Sequence, residues 1–154
     1  MSEKVYIMFG GNIGDVDSAF IRAEKYLAEH GFVVDKKSRT AASAAVDCVP
    51  DTPDFKDMAL AGTWSGTAEE LLKLTQQTER YLGRPADHRS DMSRTFDCDI
   101  IFFGNETINK PDLVIPHPRM HERKFVLELM VEIAPDFIHP VFHKSIKELW
   151  KEIK

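Results

Sequence analysis

Arg94-Thr95-Phe96-Asp97-Cys98-Asp99-Ile100-Ile101-Phe102-Phe103 is the stretch on which the reading of this chain turns. From Thr95 onward β-branched and aromatic residues dominate and Gly104-Asn105 supplies a stop, so the run reads as a strand. Side chains alternate faces along a strand, which puts Asp97 and Asp99 on one face and Phe96, Cys98 and Ile100 on the other. Two steps of rise separate the carboxylates by roughly 6.6 Å along the strand. Like charges that close on an apolar strand repel and lose hydration, and a divalent cation, or a pair of them, relieves both costs. An all-oxygen pair suits a hard ion such as Mg²⁺, which keeps waters and completes its shell from substrate phosphates. Arg94, just upstream, is placed to meet such phosphates. Two solvated aspartates on an exposed sheet face are the plainer alternative that the same spacing allows.

The chain around this strand has 154 residues, which suits a single domain, 1–154, with a full core. Hydrophobic residues make up 43% and charged residues 29%, the balance of an ordinary soluble protein. A net charge of −5 argues against general affinity for nucleic acid or anionic membrane. Cys48 and Cys98 form no CxxC, and Met1-Ser2-Glu3-Lys4 runs into an apolar stretch too short for a leader or a membrane span, so a reduced cytoplasmic setting is expected.

Upstream, Val5–Phe9 reads as a buried first strand, followed by Gly10-Gly11-Asn12-Ile13-Gly14-Asp15, a turn whose glycines suit either a plain strand-to-helix link or the close approach of a ligand ring. It is neither a dinucleotide fingerprint nor a phosphate-binding Walker loop. A helix is expected from Val16 to His30, capped by Asp15 or Asp17 and ended by Gly31. Phe32-Val33-Val34 signals a strand, and the small-residue tail Thr40–Ala45 reads as a soft loop. Asp47 to Asp54 reads as a further loop. Phe55 to Trp64 alternates as a strand, with Phe55, Asp57, Ala59 and Ala61 on one face. Phe55 beside Asp57 is either packing plus a solvated acid or a platform and anchor for a flat heterocycle. Thr67-Ala68-Glu69-Glu70 is a capping box, opening a helix to about Leu82 that buries Leu71, Leu74, Thr75, Thr78 and Leu82. Gln76 and Glu79 share another face, the place of an exposed polar pair.

The segment from Gly83 to Ser93, with Arg84, His88, Arg89 and Asp91, has no apolar period and suits a phosphate-handling lid. Beyond the central strand, Leu113-Val114-Ile115 is short and apolar. Pro116-His117-Pro118-Arg119-Met120-His121-Glu122-Arg123-Lys124 is dense in titratable groups, held by prolines and followed by Phe125-Val126-Leu127, which points to a fixed site rather than a solvated charge run. Ser145 to Lys154 is a short amphipathic helix anchored by Ile146, Leu149 and Trp150.

Three motifs now stand in order: Gly10-x-Asn12; Gly83-Arg84 with Arg94-Thr95-x-Asp97-x-Asp99-Ile100; and Pro116-His117-Pro118-Arg119 with Phe125-Val126-Leu127 and Glu132-Ile133-Ala134-Pro135. Together they resemble the 6-hydroxymethyl-7,8-dihydropterin pyrophosphokinases of folate synthesis, from about Val5 to Pro135. The resemblance implies an α+β fold with a ferredoxin-like core, an antiparallel sheet carrying helices on both faces in three layers. It implies transfer of pyrophosphate from ATP to the pterin hydroxymethyl group, with release of AMP. It also implies two Mg²⁺ ions on Asp97 and Asp99, with Arg94, His117 and Arg123 as catalytic groups around the phosphates. Gln76, Glu79, Arg84, Arg94, Ile100, His117 and Arg123 match nucleotide-site positions. Gly10, Thr40, Phe55, Asp57 and Phe125 match the pterin pocket, with the ring sandwiched between Phe55 and Phe125. Small-molecule partners and a monomer or weak dimer are expected.

Four departures stand out. Thr40-Ala41-Ala42-Ser43 replaces the family's Thr-Pro-Pro-hydrophobic run, Ala86 a second arginine, Asp91 a lid aromatic, and Asp57 a pocket asparagine. An ionised carboxylate only accepts hydrogen bonds, so Asp57 suits the N–H groups of an amino-pyrimidinone edge but not its carbonyl. Altered ring preference, or weaker binding of the usual pterin, is the expected result. The rival readings are a paralogue that binds nucleotide or pterin with weak or altered activity, and a non-catalytic interaction module.

Overall fold

The computed structural model describes residues 2–12, 15–43, 55–82 and 96–153. In chain order these form β1 (Glu3–Gly11), α1 (Val16–Glu29), β2 (Val33–Lys37), β3 (Ala41–Ser43), β4 (Phe55–Trp64), α2 (Ala68–Tyr81), β5 (Asp97–Phe103), β6 (Ile108–Lys110), β7 (Leu113–Ile115), α3 (Lys124–Ile133) and α4 (Ile146–Glu152). The main sheet runs β2-β4-β1-β5 with β3 added to β4, and every pairing is antiparallel. A helix follows β1 and another follows β4, and the strand order then leaves β5 at the sheet edge. This is the ferredoxin-like arrangement.

Alternation along the central strands makes two cores. Val5, Ile7 and Phe9 of β1 join Leu60 of β4 and Cys98 of β5 under α1 and α2, which supply Phe20, Leu27 and Leu71. Tyr6 and Met8 join Ala59 and Ala61 on the opposite face, under Leu127, Met130 and Ile133 of α3 and Ile146 and Leu149 of α4. The outcome is three layers, as expected. Phe9, Phe20 and Phe96 meet edge-on or tilted at 4.9–6.2 Å in the first core. Phe102 holds the second, with Phe137 at 4.6 Å and Tyr6 at 6.1 Å.

Helix starts follow their local chemistry. The Asp15 carboxylate accepts from Ser18 N–H at 3.0 Å and caps α1. Reciprocal capping boxes, Thr67 with Glu70 and Ser145 with Glu148, open α2 and α4.

Two segments differ from their sequence reading. Ala41–Ser43, read as part of a soft loop, is strand β3. Ser38 makes the change possible: its N–H donates to the Ala59 carbonyl at 2.9 Å, and its hydroxyl accepts from Ala59 N–H at 2.8 Å. The hydroxyl stands in for a ladder group where β2 ends, and pairing resumes at Ala41 opposite Asp57. Tertiary pairing along the long β4 overrides the weak strand tendency of Ala-Ala-Ser. The apolar Leu113–Ile115 is one arm of a hairpin, β6 with β7, turning through Pro111-Asp112. The loop Asp47–Asp54, Cys48 and the basic segment 83–93 lie outside the described residues.

A buried histidine in the second core makes stability depend on pH. His139 is 3% exposed, and its Nδ1 accepts from the main-chain N–H groups of Val141 and Phe142 at 3.1 and 3.2 Å. Burial, with His121 and His143 adding repulsion, pushes its pKa down to about 4. The unfolded chain, near 6.5, therefore takes up a proton that the folded chain refuses between these values. The stabilisation is complete above pH 6.5 and is lost as pH falls toward 4, by on the order of 2 kcal/mol. Urea melts from pH 7.5 to 4.5 check this, and His139→Asn, which keeps an acceptor, flattens the slope.

Candidate active site

Register across the sheet assembles the site. Gly10 of β1 lies opposite Asp57 on β4 and opposite Asp97 on β5, and Asp57 lies opposite Ala41 on β3. Directly paired residues share a face, so Ala41, Asp57, Gly10 and Asp97 form one row on the α3 side. Two strand spacings put the backbones of Asp57 and Asp97 about 10 Å apart. Gly10 leaves the floor between them bare: a Cβ there would lie 2.9 Å from Asp57 Oδ1. Asp57 is 6% exposed, whereas Asp97 and Asp99 are half-buried. Asp99, opposite Met8, shares their face.

Along the outer edge of β5 runs an open cleft of about 300 Å³, lined by Leu72 and Thr75 of α2, Cys98, Asp99 and Ile100 of β5, the hairpin from Pro111 to Val114, and His117-Pro118. The outward N–H of Cys98 donates to Glu79 Oε2 at 2.8 Å. Burial pushes the Cys98 thiol up, and the Glu79, Asp99 and Asp97 carboxylates reinforce the shift.

The Pro116–Lys124 segment is docked onto the same strand. Between Ile7 and Tyr6 of β1 the register shifts, leaving Ile101 as an extra residue in β5. The Ile101 carbonyl accepts from His117 N–H at 3.0 Å. The His117 ring Nδ1 accepts from Arg119 N–H at 3.2 Å, which leaves the proton of the neutral ring on Nε2. Burial pushes its pKa to about 4, with Arg123 and Arg119 lowering it and Asp97 opposing. Arg123 is the N-cap residue of α3, no side chain caps that end, and the first turn carries no acid. Helix dipole, Arg123 and Lys124 together make the turn positive beside the acids.

Of the residues expected from the sequence, Gly10, Asp57, Asp97 and Asp99 share one face, and Ile100 and His117 line the cleft. Glu79 holds the β5 edge, and Gln76 is exposed on α2 beside Thr75. Phe55 and Phe125 are half-buried, Phe125 packing on the α3-side core. The Thr40 side chain turns to the other face, its Oγ1 3.9 Å from Met58 Sδ, in a cavity with Phe20 and Ile21. Arg84 and Arg94 lie outside the described residues. Leu72, Thr75 and Asp112 escaped the sequence reading: nothing in a helix stripe or a hairpin tip signals a cleft wall.

The chain is a ferredoxin-like α+β plate with three layers. Residues 6–135 match the 7,8-dihydro-6-hydroxymethylpterin-pyrophosphokinase (HPPK) family. The chain belongs to that family, and its activity is that of a pyrophosphokinase of folate synthesis with ATP as co-substrate. It is 38% identical over 134 residues to the 2-amino-4-hydroxy-6-hydroxymethyldihydropteridine pyrophosphokinase of Bacillus subtilis, covering 87% of this chain and 80% of that one. Its counterpart in Aquifex aeolicus is 30% identical, with 96% and 91% covered. The folic acid synthesis protein of Pneumocystis carinii is 34% identical over 152 residues, but this chain spans only 20% of its length. A crystal structure of an HPPK-DHPS in complex with substrates superposes with a TM-score of 0.77 at 13% identity, over 99% of this chain and 43% of that one, which shows the shared fold. The binding-only paralogue is not favoured beside relatives named for the activity. No helix among the described residues is long and apolar enough to cross a membrane.

Proposed function

We propose that the row Asp57–Gly10–Asp97 is the line along which this chain transfers pyrophosphate from ATP to the hydroxymethyl group of 6-hydroxymethyl-7,8-dihydropterin. The pterin lies flat over the bare Gly10 floor, its amino-pyrimidinone edge on the Asp57 carboxylate and its hydroxymethyl arm toward Asp97. Roughly 10 Å between the two backbones suits a bicyclic ring with a short arm. Phe55 and Phe125 flank the ring, and Thr40 contributes its main chain. The purine rests in the cleft against Ile100 and Leu72. Ile100 directs its main chain outward as Cys98 does, two residues before it, and Glu79 holds this edge; the family resemblance assigns Gln76 and Arg84 to the nucleotide as well.

Asp97 and Asp99 suit Mg²⁺. They are two half-buried carboxylates on one strand face, and among the described residues no third His, Cys, Asp or Glu completes a metal cluster. The remaining positions fall to water and phosphate oxygens, the usual habit of this ion. Two such ions, held by Asp97 and Asp99, would supply charge neutralisation for the triphosphate and make its phosphorus more electrophilic. His117 stays neutral at pH 7 and donates from Nε2 to a phosphate oxygen. Arg123, at the uncapped start of α3, and Arg94 hold the migrating group by charge.

The observation that carries this reading is Gly10 between two acids. The test is AMP release from ATP and Mg²⁺ with and without the pterin. Wild type releases AMP only with the pterin. Gly10→Ala, whose methyl displaces the Asp57 carboxylate, raises the pterin KM about tenfold and leaves the ATP KM unchanged. Absence of pterin-dependent AMP release from the wild type would overturn the proposal.

A further inference from the structure

Arg39 joins two parts of the ring pocket that no covalent link connects. Its guanidinium pairs with both Glu128 and Glu132 of α3, and its main-chain N–H donates to Glu132 Oε1 at 3.0 Å. On one side, Ser38 pins the neighbouring backbone to Ala59, and Ala41 follows as the residue paired with Asp57. On the other side, Phe125, Glu128 and Glu132 recur at three- and four-residue spacing along one face of α3. Ala41 and Phe125 pack on the same apolar cluster. The clamp therefore spans from the strand that backs Asp57 to the helix that presents Phe125.

We propose that Arg39 is a positioning residue for the pterin, setting the gap between the Asp57 row and Phe125; this rests on the ring placement argued above. A single exposed ion pair contributes little. Here one guanidinium serves two carboxylates whose mutual repulsion at i and i+4 otherwise weakens the helix, and its planar fork fits both. Removing the charge frees the two walls to drift apart and leaves the acids repelling. The nucleotide cleft, on the far edge of β5, is untouched.

The experiment measures KM for each substrate by AMP release in wild type, Arg39→Ala, Arg39→Lys, Glu128→Gln/Glu132→Gln and the triple variant. Arg39→Ala raises the pterin KM about fivefold, with the ATP KM and the pterin-saturated kcat within about twofold of wild type. Arg39→Lys recovers part of the loss. The triple variant is no worse than either parent, because all remove one clamp. Raising KCl toward about 1 M raises the pterin KM of the wild type but not of Arg39→Ala, since screening dismantles only an intact clamp. An unchanged pterin KM in Arg39→Ala, an equal rise in both KM values, or additive losses in the triple variant overturns the inference. Wild type without pterin-dependent AMP release would instead overturn the proposed function.

Discussion

Asp97→Asn and Asp99→Asn will each lower pterin-dependent AMP release on the order of a thousandfold, about 4 kcal/mol, while the protein stays folded. Asparagine keeps the size and one acceptor but removes the charge that a hard cation requires. The backbone of both residues belongs to the ladder with β1, opposite Gly10 and Met8, and is unaffected by the change. Two carboxylates on one strand face repel each other, and exchanging one for a neutral amide of the same shape lessens that repulsion without disturbing the ladder. The melting temperature is therefore unchanged or higher. Parallel AMP assays and thermal melts decide the matter. Activity within tenfold of wild type would remove the acids from the reaction, whereas a drop in melting temperature of several degrees would make their role structural.

The second large effect is on stability. Phe102→Ala is expected to cost about 3–5 kcal/mol. The ring is fully buried, lies 4.6 Å from Phe137 and 5.4 Å from His139, and fills the space between β5 and the connection from α3 to α4. Three aromatic rings, Tyr6, Phe137 and His139, meet around it, and their fixed shapes cannot collapse into the void. Urea denaturation measures the loss. A cost below about 1 kcal/mol would mean that the second core repacks freely.

Much of this was legible in the chain. Period-two alternation placed Asp97 and Asp99 on one face and separated Ala59 from Leu60 on β4, because both strands are buried on two sides and carry their signal in every residue. The capping box at Thr67 marked the start of α2 within a residue, and the apolar spacing of Ile146, Leu149 and Trp150 marked α4. Strand β3 was not legible, since Ala-Ala-Ser has no strand signal and pairs only because β4 offers an edge beyond Lys37. The row from Asp57 through Gly10 to Asp97 needed register, which no local pattern encodes across residues so distant in sequence. The Arg39 clamp was hidden for the same reason: a lone arginine before a loop looks solvated until the fold brings Glu128 and Glu132 to it. The family resemblance supplied what physics could not, the choice of pyrophosphate over phosphate.

The extra residue in β5 has a consequence for anyone redesigning this scaffold. A tidy, gap-free pairing of β1 and β5 would look like an improvement. Yet Ile101 is what turns a carbonyl out to catch the His117 amide. Straighten the ribbon and the acids stay, but the imidazole loses its mooring; here the irregularity is the part to preserve, and the regular stretches are the ones free to vary.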